Sequence, residues 1–184
     1  MKKKIKLENS NWNFSGNVPQ NFDKHILKSI PLYDESHYIG LLISDFFIPE
    51  KGLVCDLGCS TGKFISSLAE RHSNKKFKIK GYDEIPGMVR IAKKRCKKYP
   101  GIEILKEDIL KIKIKNLNYV TSFFTIQFVH PSKRQKLFTQ IRGGTGSQTV
   151  YVTQTDFSRE PDGGGSGGGS GGGKEAGISV NSLI

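Results

Sequence analysis

The sequence predicts an α/β domain on a mostly parallel sheet, and three observations carry that expectation. From Gly52 to about Ile141, short β-branched or aromatic runs alternate with helical segments. Those helical segments keep their apolar residues on one face. The first strand-like run, LVCDLG, opens through a glycine turn, Gly58 to Gly62, directly into the first of these helices. Strands alternating with amphipathic helices imply crossover connections and a Rossmann-like three-layer sandwich.

The elements follow in order. Residues 1–33 form a lead-in, within which 8–22, ENSNWNFSGNVPQNF, carries turn-formers and the only tryptophan and reads as an irregular stretch that could fold over a site. DESHYIGLLISDFF should be a helix with Asp34 as N-cap and Ile39, Leu42, Ile43 and Phe46 facing the core. LVCDLG, FKIKGYD, IEILKED and NYVTSFFT are the four strands. The helices between and after them should bury Phe64, Ile65, Leu68 and Ala69, then Met88, Val89, Ala92 and Cys96, then Leu137, Phe138 and Ile141. The Rossmann-like domain is thus expected over 34–141. Residues 142–162 offer TVYVTQTDF as a substitute fifth strand, whose polar alternation suits a sheet edge. Residues 163–184 read as a Gly/Ser linker and tail, because GGGSGGGSGGG cannot join a core and KEAGISVNSLI is too short for a domain.

The chain of 184 residues carries a formal charge of +12. Its lysines are spread over MKKKIK, KKFKIK, KKRCKK and KIKIK, with no Cys/His finger and no aromatic RNA-binding signature among them. They read as solvated faces, with a polyanionic partner such as tRNA or another nucleic acid as the alternative. Three cysteines, Cys55, Cys59 and Cys96, lack paired metal-ligand spacing, so no metal site is expected and a reducing compartment fits. The basic start lacks the apolar run of a secretory signal, and no stretch has the length of a bilayer span. A cytoplasmic protein without membrane contact is expected. The histidines, His25, His37, His72 and His130, are scattered and read as surface or cap residues, with His130 kept as a minor candidate near the pocket.

The glycine turn limits the ligand. A phosphate loop needs four residues between its glycines and a hydroxyl after its lysine, whereas three separate Gly58 from Gly62 and Phe64 follows Lys63. A dinucleotide fingerprint needs glycine where Ser60 stands, and Asp56 just before the turn would repel a pyrophosphate. A carboxylate there attracts an ammonium group instead. Asp83 ends the second strand twenty-one residues after Gly62, about the spacing at which a carboxylate receives ribose hydroxyls. Glu107-Asp108-Ile109 then offers an acceptor and an apolar contact for an adenine edge. Amine, ribose and adenine together describe S-adenosylmethionine.

These residues resemble the class I S-adenosylmethionine-dependent methyltransferases. Asp56 to Gly62 is similar to their first motif, Asp83 to their second, and Glu107-Asp108-Ile109 to their third. A closer likeness, through NFDKHILKSIPLYD and FTIQFVHPSKRQKLFTQI, is to the carboxy-S-adenosylmethionine synthase branch. The resemblance implies that Gly58, Cys59, Ser60 and Gly62 form the turn around the methionine part, with Asp56 facing its amine. It implies that Asp83 binds ribose, that Met88 and Ile109 sandwich the adenine, and that Asp108 accepts from its amino group. Tyr33 and Tyr38 would close over the ligand, with the methyl acceptor near Phe124, Thr125 and Gln127. No catalytic residue is assigned, because in-line transfer from a sulfonium needs positioning rather than a nucleophilic triad. The family's later strands have no counterpart in the sequence, so a fold truncated on its C-terminal side is expected, with an uncovered sheet edge favouring self-association.

Overall fold

The computed structural model describes residues 18–113, 115–144, 149–154 and 178–183. Helices α1 (Val18–Ser29) and α2 (Tyr33–Phe47) precede β1 (Leu53–Leu57), α3 (Lys63–Arg71), β2 (Lys78–Asp83), α4 (Pro86–Cys96) and β3 (Ile102–Lys106). There follow β4 (Tyr119–Ser122), a 3-10 turn (Ile126–Phe128), α5 (Pro131–Gly144), β5 (Thr149–Gln154) and β6 (Ile178–Leu183). The strand order is β3-β2-β1-β4-β5-β6, parallel except for the antiparallel β5–β6 pair. Strand β1 lies between β2 and β4, so the chain builds outward in one direction and then returns to build in the other. A crevice opens at the carboxyl ends of strands where the order reverses in this way.

Alternation along the strands sorts side chains into two cores. Val54, Ile79, Ile104 and Tyr119 pack with Phe64, Ile65, Leu68, Val89 and Ala92 from α3 and α4. Cys55, Leu57, Tyr82 and Val120 pack on the other face with Leu137 and Ile141 of α5. The expected Rossmann-like three-layer arrangement is present, and the apolar faces of α3 and α4 are those read from the sequence.

Four expectations change. Residues 18–22 are not irregular: they begin α1, where Pro19 occupies the first turn, the one part of a helix that tolerates it. Helix α2 buries Tyr33, Ser36, His37, Gly40 and Ser44 and packs Ile43 partly buried against the core as expected, while Leu42 and Phe46 are exposed, Phe46 by 84%. The cause is close approach. A Cβ on Gly40 would meet Phe123 Cζ at 2.7 Å, and the Tyr119 hydroxyl donates to the Gly40 carbonyl at 2.7 Å. Asp34 is not the cap either: the N-cap is Leu32 in a left-handed conformation, and Asp34 pairs with Lys63 at 2.6 Å. Finally, β5 is interior, paired with β4 on one side and with β6, from the expected tail, on the other. Residues 1–17 and the remainder of 142–162 and of 163–184 lie outside the described residues.

Candidate functional site

The site begins at the end of β1. Gly58 has φ +76°, and a Cβ there would meet Thr125 Oγ1 at 2.1 Å, so glycine is needed for conformation and for contact with the loop after β4. The Gly58 and Cys59 amides donate to the Tyr82 carbonyl at 2.8 and 2.9 Å, which fixes the turn onto β2. Ser60 follows at φ +50° and donates its amide to Asp83 Oδ2 at 2.8 Å. Asp83 Oδ1 accepts from the Ile85 amide at 2.9 Å. One carboxylate therefore holds both the glycine turn and the start of α4.

Asp56 is fully enclosed and accepts from Thr121 Oγ1 at 2.8 Å. Burial pushes its pKa up to about 7; the Thr121 hydrogen bond opposes this, and the nearby Asp83 charge adds to it. Burial likewise raises the pKa of Asp83, against its two backbone hydrogen bonds. Two carboxylates withdrawn from water at one turn leave the place short of positive charge.

A cavity of about 660 Å³ lies over this turn. Asp56, Gly58, Cys59, Ser60, Asp83, Met88, Asp108 and Ile109 line it, as do Tyr33, Phe124, Thr125 and Gln127. Met88 is at once core and lining: it packs with Phe22, Ile26 and Tyr33, and its sulfur receives the Ser60 hydroxyl at 3.5 Å. Asp108 caps the following turn by accepting from the Leu110 amide at 2.9 Å. Tyr33 stacks on Phe124 with ring centroids 5.4 Å apart, and Phe124 is held at φ +51°, a conformation rare for a bulky side chain. Two expected residues lie elsewhere. Gly62 faces α4, where a Cβ would meet Ala92 Cβ at 3.0 Å, so it serves helix packing. Tyr38 sits on the solvent side of α2, 59% exposed, because Tyr33 and His37 occupy the inward face.

Several lining residues escaped the sequence reading. Helix α1 supplies Phe22 and Ile26 as a wall. It is fastened by Asp23, whose Oδ1 accepts from Thr61 Oγ1 at 2.6 Å and whose Oδ2 pairs with Arg95, while Arg95 also donates to Thr61 Oγ1 at 2.8 Å. Nothing in a window of local sequence links positions so far apart. His37 is no surface residue: it is buried at the cavity among Tyr33, Phe64 and Phe123. His72 is buried too, at the C-cap of α3, and hydrogen-bonds Ser44 at 2.7 Å. His130 lines the cavity mouth.

Comparison with known proteins agrees with this geometry. The family described as "Methyltransferase domain" matches residues 54–145. A carboxy-S-adenosyl-L-methionine synthase of Staphylococcus epidermidis is 31% identical over 77% of this chain and 61% of its own. One of Pectobacterium atrosepticum is 32% identical over 80% and 61%. The chain thus spans about 61% of the length of these curated relatives. Among solved structures, a SAM-dependent methyltransferase of Aquifex aeolicus superposes with TM-score 0.56 at 20% identity, covering 80% of this chain and 77% of that one. The plantazolicin methyltransferase solved with SAH gives TM-score 0.58 at 11% identity, covering 74% and 52%. With the family match spanning the glycine turn, both buried carboxylates and the sheet that carries them, the chain belongs to the class I S-adenosylmethionine-dependent methyltransferases.

Proposed function

We propose that the chain binds S-adenosylmethionine in the cavity over the glycine turn and transfers its methyl group to an acceptor at the aromatic end. The observation that carries this reading is the pair of buried carboxylates, Asp56 and Asp83, at the ends of two adjacent strands in one cavity. Asp56 suits the donor's ammonium, which would restore its ionised form. Asp83 has lone pairs left after its two amide hydrogen bonds and suits the ribose hydroxyls. Met88 and Ile109 offer apolar faces for the adenine, and Asp108 an acceptor for its amino group. Gly58, Cys59 and Ser60 shape the turn around the methionine part. When bound, the donor supplies a sulfonium-activated methyl. The chain's own contribution is to fix geometry, exclude water and line the charged centre with Tyr33 and Phe124, whose ring faces attract a cation. Thr125 and Gln127 are the polar groups at that end.

The whole protein's chemistry is proposed on the same footing. The relatives' description favours a second reading, a carboxy-S-adenosylmethionine synthase-like enzyme. If the C-terminal side of the fold is truncated relative to them, a donor-binding fragment without turnover is the result. Residues 34–141, with α1 as a wall, would carry the site, and 163–173 would act as a linker by composition. The dispersed lysines suit a nucleic-acid acceptor such as tRNA, an open sheet edge suits self-association, and the free thiols of Cys55, Cys59 and Cys96 suit the cytoplasm. Among the described residues no helix is long and apolar enough to cross a membrane.

Calorimetric titration with S-adenosylhomocysteine, beside Asp83→Ala, tests the reading. Binding by the wild type that is lost in a folded Asp83→Ala variant is expected. A folded wild type that does not bind would overturn it, and steeply salt-dependent binding of RNA indifferent to Asp83→Ala would replace it with a nucleic-acid module.

A further inference from the structure

Helix α1 stands apart from the two sheet cores. Among the described residues it contributes to neither, and its Phe22 and Ile26 pack instead with Tyr33 and Met88 in a small third cluster. All of these side chains line the cavity, so the cluster that holds α1 down is also a wall of the proposed donor site. A helix held by so small a core belongs to the part of a fold that opens first.

One polar cluster reinforces that contact. Asp23 of α1 accepts from Thr61 Oγ1 at 2.6 Å and pairs with Arg95 of α4, and Arg95 donates to the Thr61 carbonyl at 3.0 Å and to its hydroxyl at 2.8 Å. The Arg95 and Asp23 side chains keep 30% and 32% of their surface exposed, so the pair can break without stranding a buried charge. From α1 the chain reaches α2 through Ile30, Pro31 and Leu32, and Leu32 is held at φ +57°, a left-handed conformation that is costly for a leucine. A breakable tie on one side and a strained turn at the end are the two parts that a hinged element requires.

We infer that α1 is the gate through which the donor enters and leaves, and that Arg95 is its latch. This inference rests on the donor reading above. Ser60, Asp83 and Met88, the proposed donor contacts, are joined to one another and to α1 through Met88, whereas the mouth beside His130 serves the acceptor end. Arg95 is a positioning residue that acts through Asp23 and Thr61. Because its latch is made whether or not the donor is bound, weakening it leaves affinity nearly unchanged and speeds passage in both directions. A residue that merely kept the site in shape would behave otherwise, since its loss would weaken binding through faster release alone.

The test measures association and dissociation of S-adenosylhomocysteine on the immobilised full-length chain by surface plasmon resonance. Arg95→Met is expected to raise kon and koff alike, each about fivefold, the worth of one partly screened ion pair, with Kd within about twofold of the wild type. Fastening α1 shut supplies the converse. A Cβ at Gly87 would lie 3.2 Å from Pro19 Cβ, close to the separation a disulfide spans. The double variant Pro19→Cys/Gly87→Cys, cross-linked by glutathione disulfide and confirmed by mass, should neither take up S-adenosylhomocysteine nor release it when oxidised after loading, and dithiothreitol should restore both. Should Arg95→Met not fold, this variant decides alone. A koff that rises in Arg95→Met with kon unchanged, or exchange of S-adenosylhomocysteine as fast in the cross-linked variant as in the reduced one, would overturn the gate while leaving the donor reading standing. A folded wild type that does not bind S-adenosylhomocysteine would overturn both.

Discussion

At the scale of single residues, Asp56 and His37 respond to pH in opposite senses. Asp56 titrates in the folded protein at about 7, above the ordinary carboxylate range, so folding takes up a proton there. Its contribution to stability is present below the ordinary aspartate range and is lost as pH rises through about 7. His37 titrates at about 4, below the ordinary histidine value of 6.5, so the unfolded chain takes the proton first. Its contribution is present above 6.5 and is lost as pH falls toward 4. Over the shared window the two partly cancel in the wild type. Thermal unfolding from pH 4 to 7.5 should therefore show Asp56→Asn gaining on the wild type as pH rises, and His37→Phe gaining as pH falls. Parallel melting curves for variant and wild type would show that neither group carries its charge cost into folding. Sequence alone exposed Asp56 through its place before a glycine turn, but it could not separate His37 from its three scattered counterparts. Burial among Tyr33, Phe64 and Phe123 is a property of three elements meeting.

At the scale of elements, the Asp23–Arg95–Thr61 cluster ties α1 and α4 to the glycine turn. Helix α1 also packs by shape, since a Cβ on Gly87 would meet Pro19 Cγ at 2.6 Å. A double-mutant cycle of Asp23→Asn and Arg95→Met, measured by urea unfolding, should give a coupling of about 1 kcal/mol, as for directly contacting charged partners that are only partly screened. Additivity within about 0.3 kcal/mol would mean that the helix is held by Phe22 and Ile26 alone. The sequence made the sheet and helices α3 and α4 legible because their apolar spacing follows from strand and helix periods. It hid α1 behind Asn17, Pro19 and Asn21, residues that favour turns unless a core anchors the helix. It misplaced the face of α2 for a related reason: hydrophobicity points outward there to Leu42 and Phe46, while Ser36, Gly40 and Ser44 go inward because small residues let the helix lie close to Tyr119 and Phe123.

At the scale of the molecule, the sheet divides two cores and the cavity sits over the seam where β1 parts from β4 in chain order. The motifs of the proposed donor site were readable because each occupies the end of its own strand, a position set by local sequence. The enclosing wall was not, since it draws on α1, α2 and the loop after β4 at once. The three cysteines are distributed across this plan: Cys55 in the core under α5, Cys59 at the cavity, and Cys96 between α3 and α4. Burial raises the pKa of all three thiols, and that of Cys96 to about 11, so none is a ready nucleophile in the closed structure. The chain thus contains a clock with three hands. Under a thiol reagent such as dithionitrobenzoate, each cysteine is modified only when its own region opens, so site-resolved labelling reads local opening without any added probe. Saturating S-adenosylhomocysteine should slow Cys59 most and Cys55 least; equal slowing at all three would mean that cavity and cores open together as one unit.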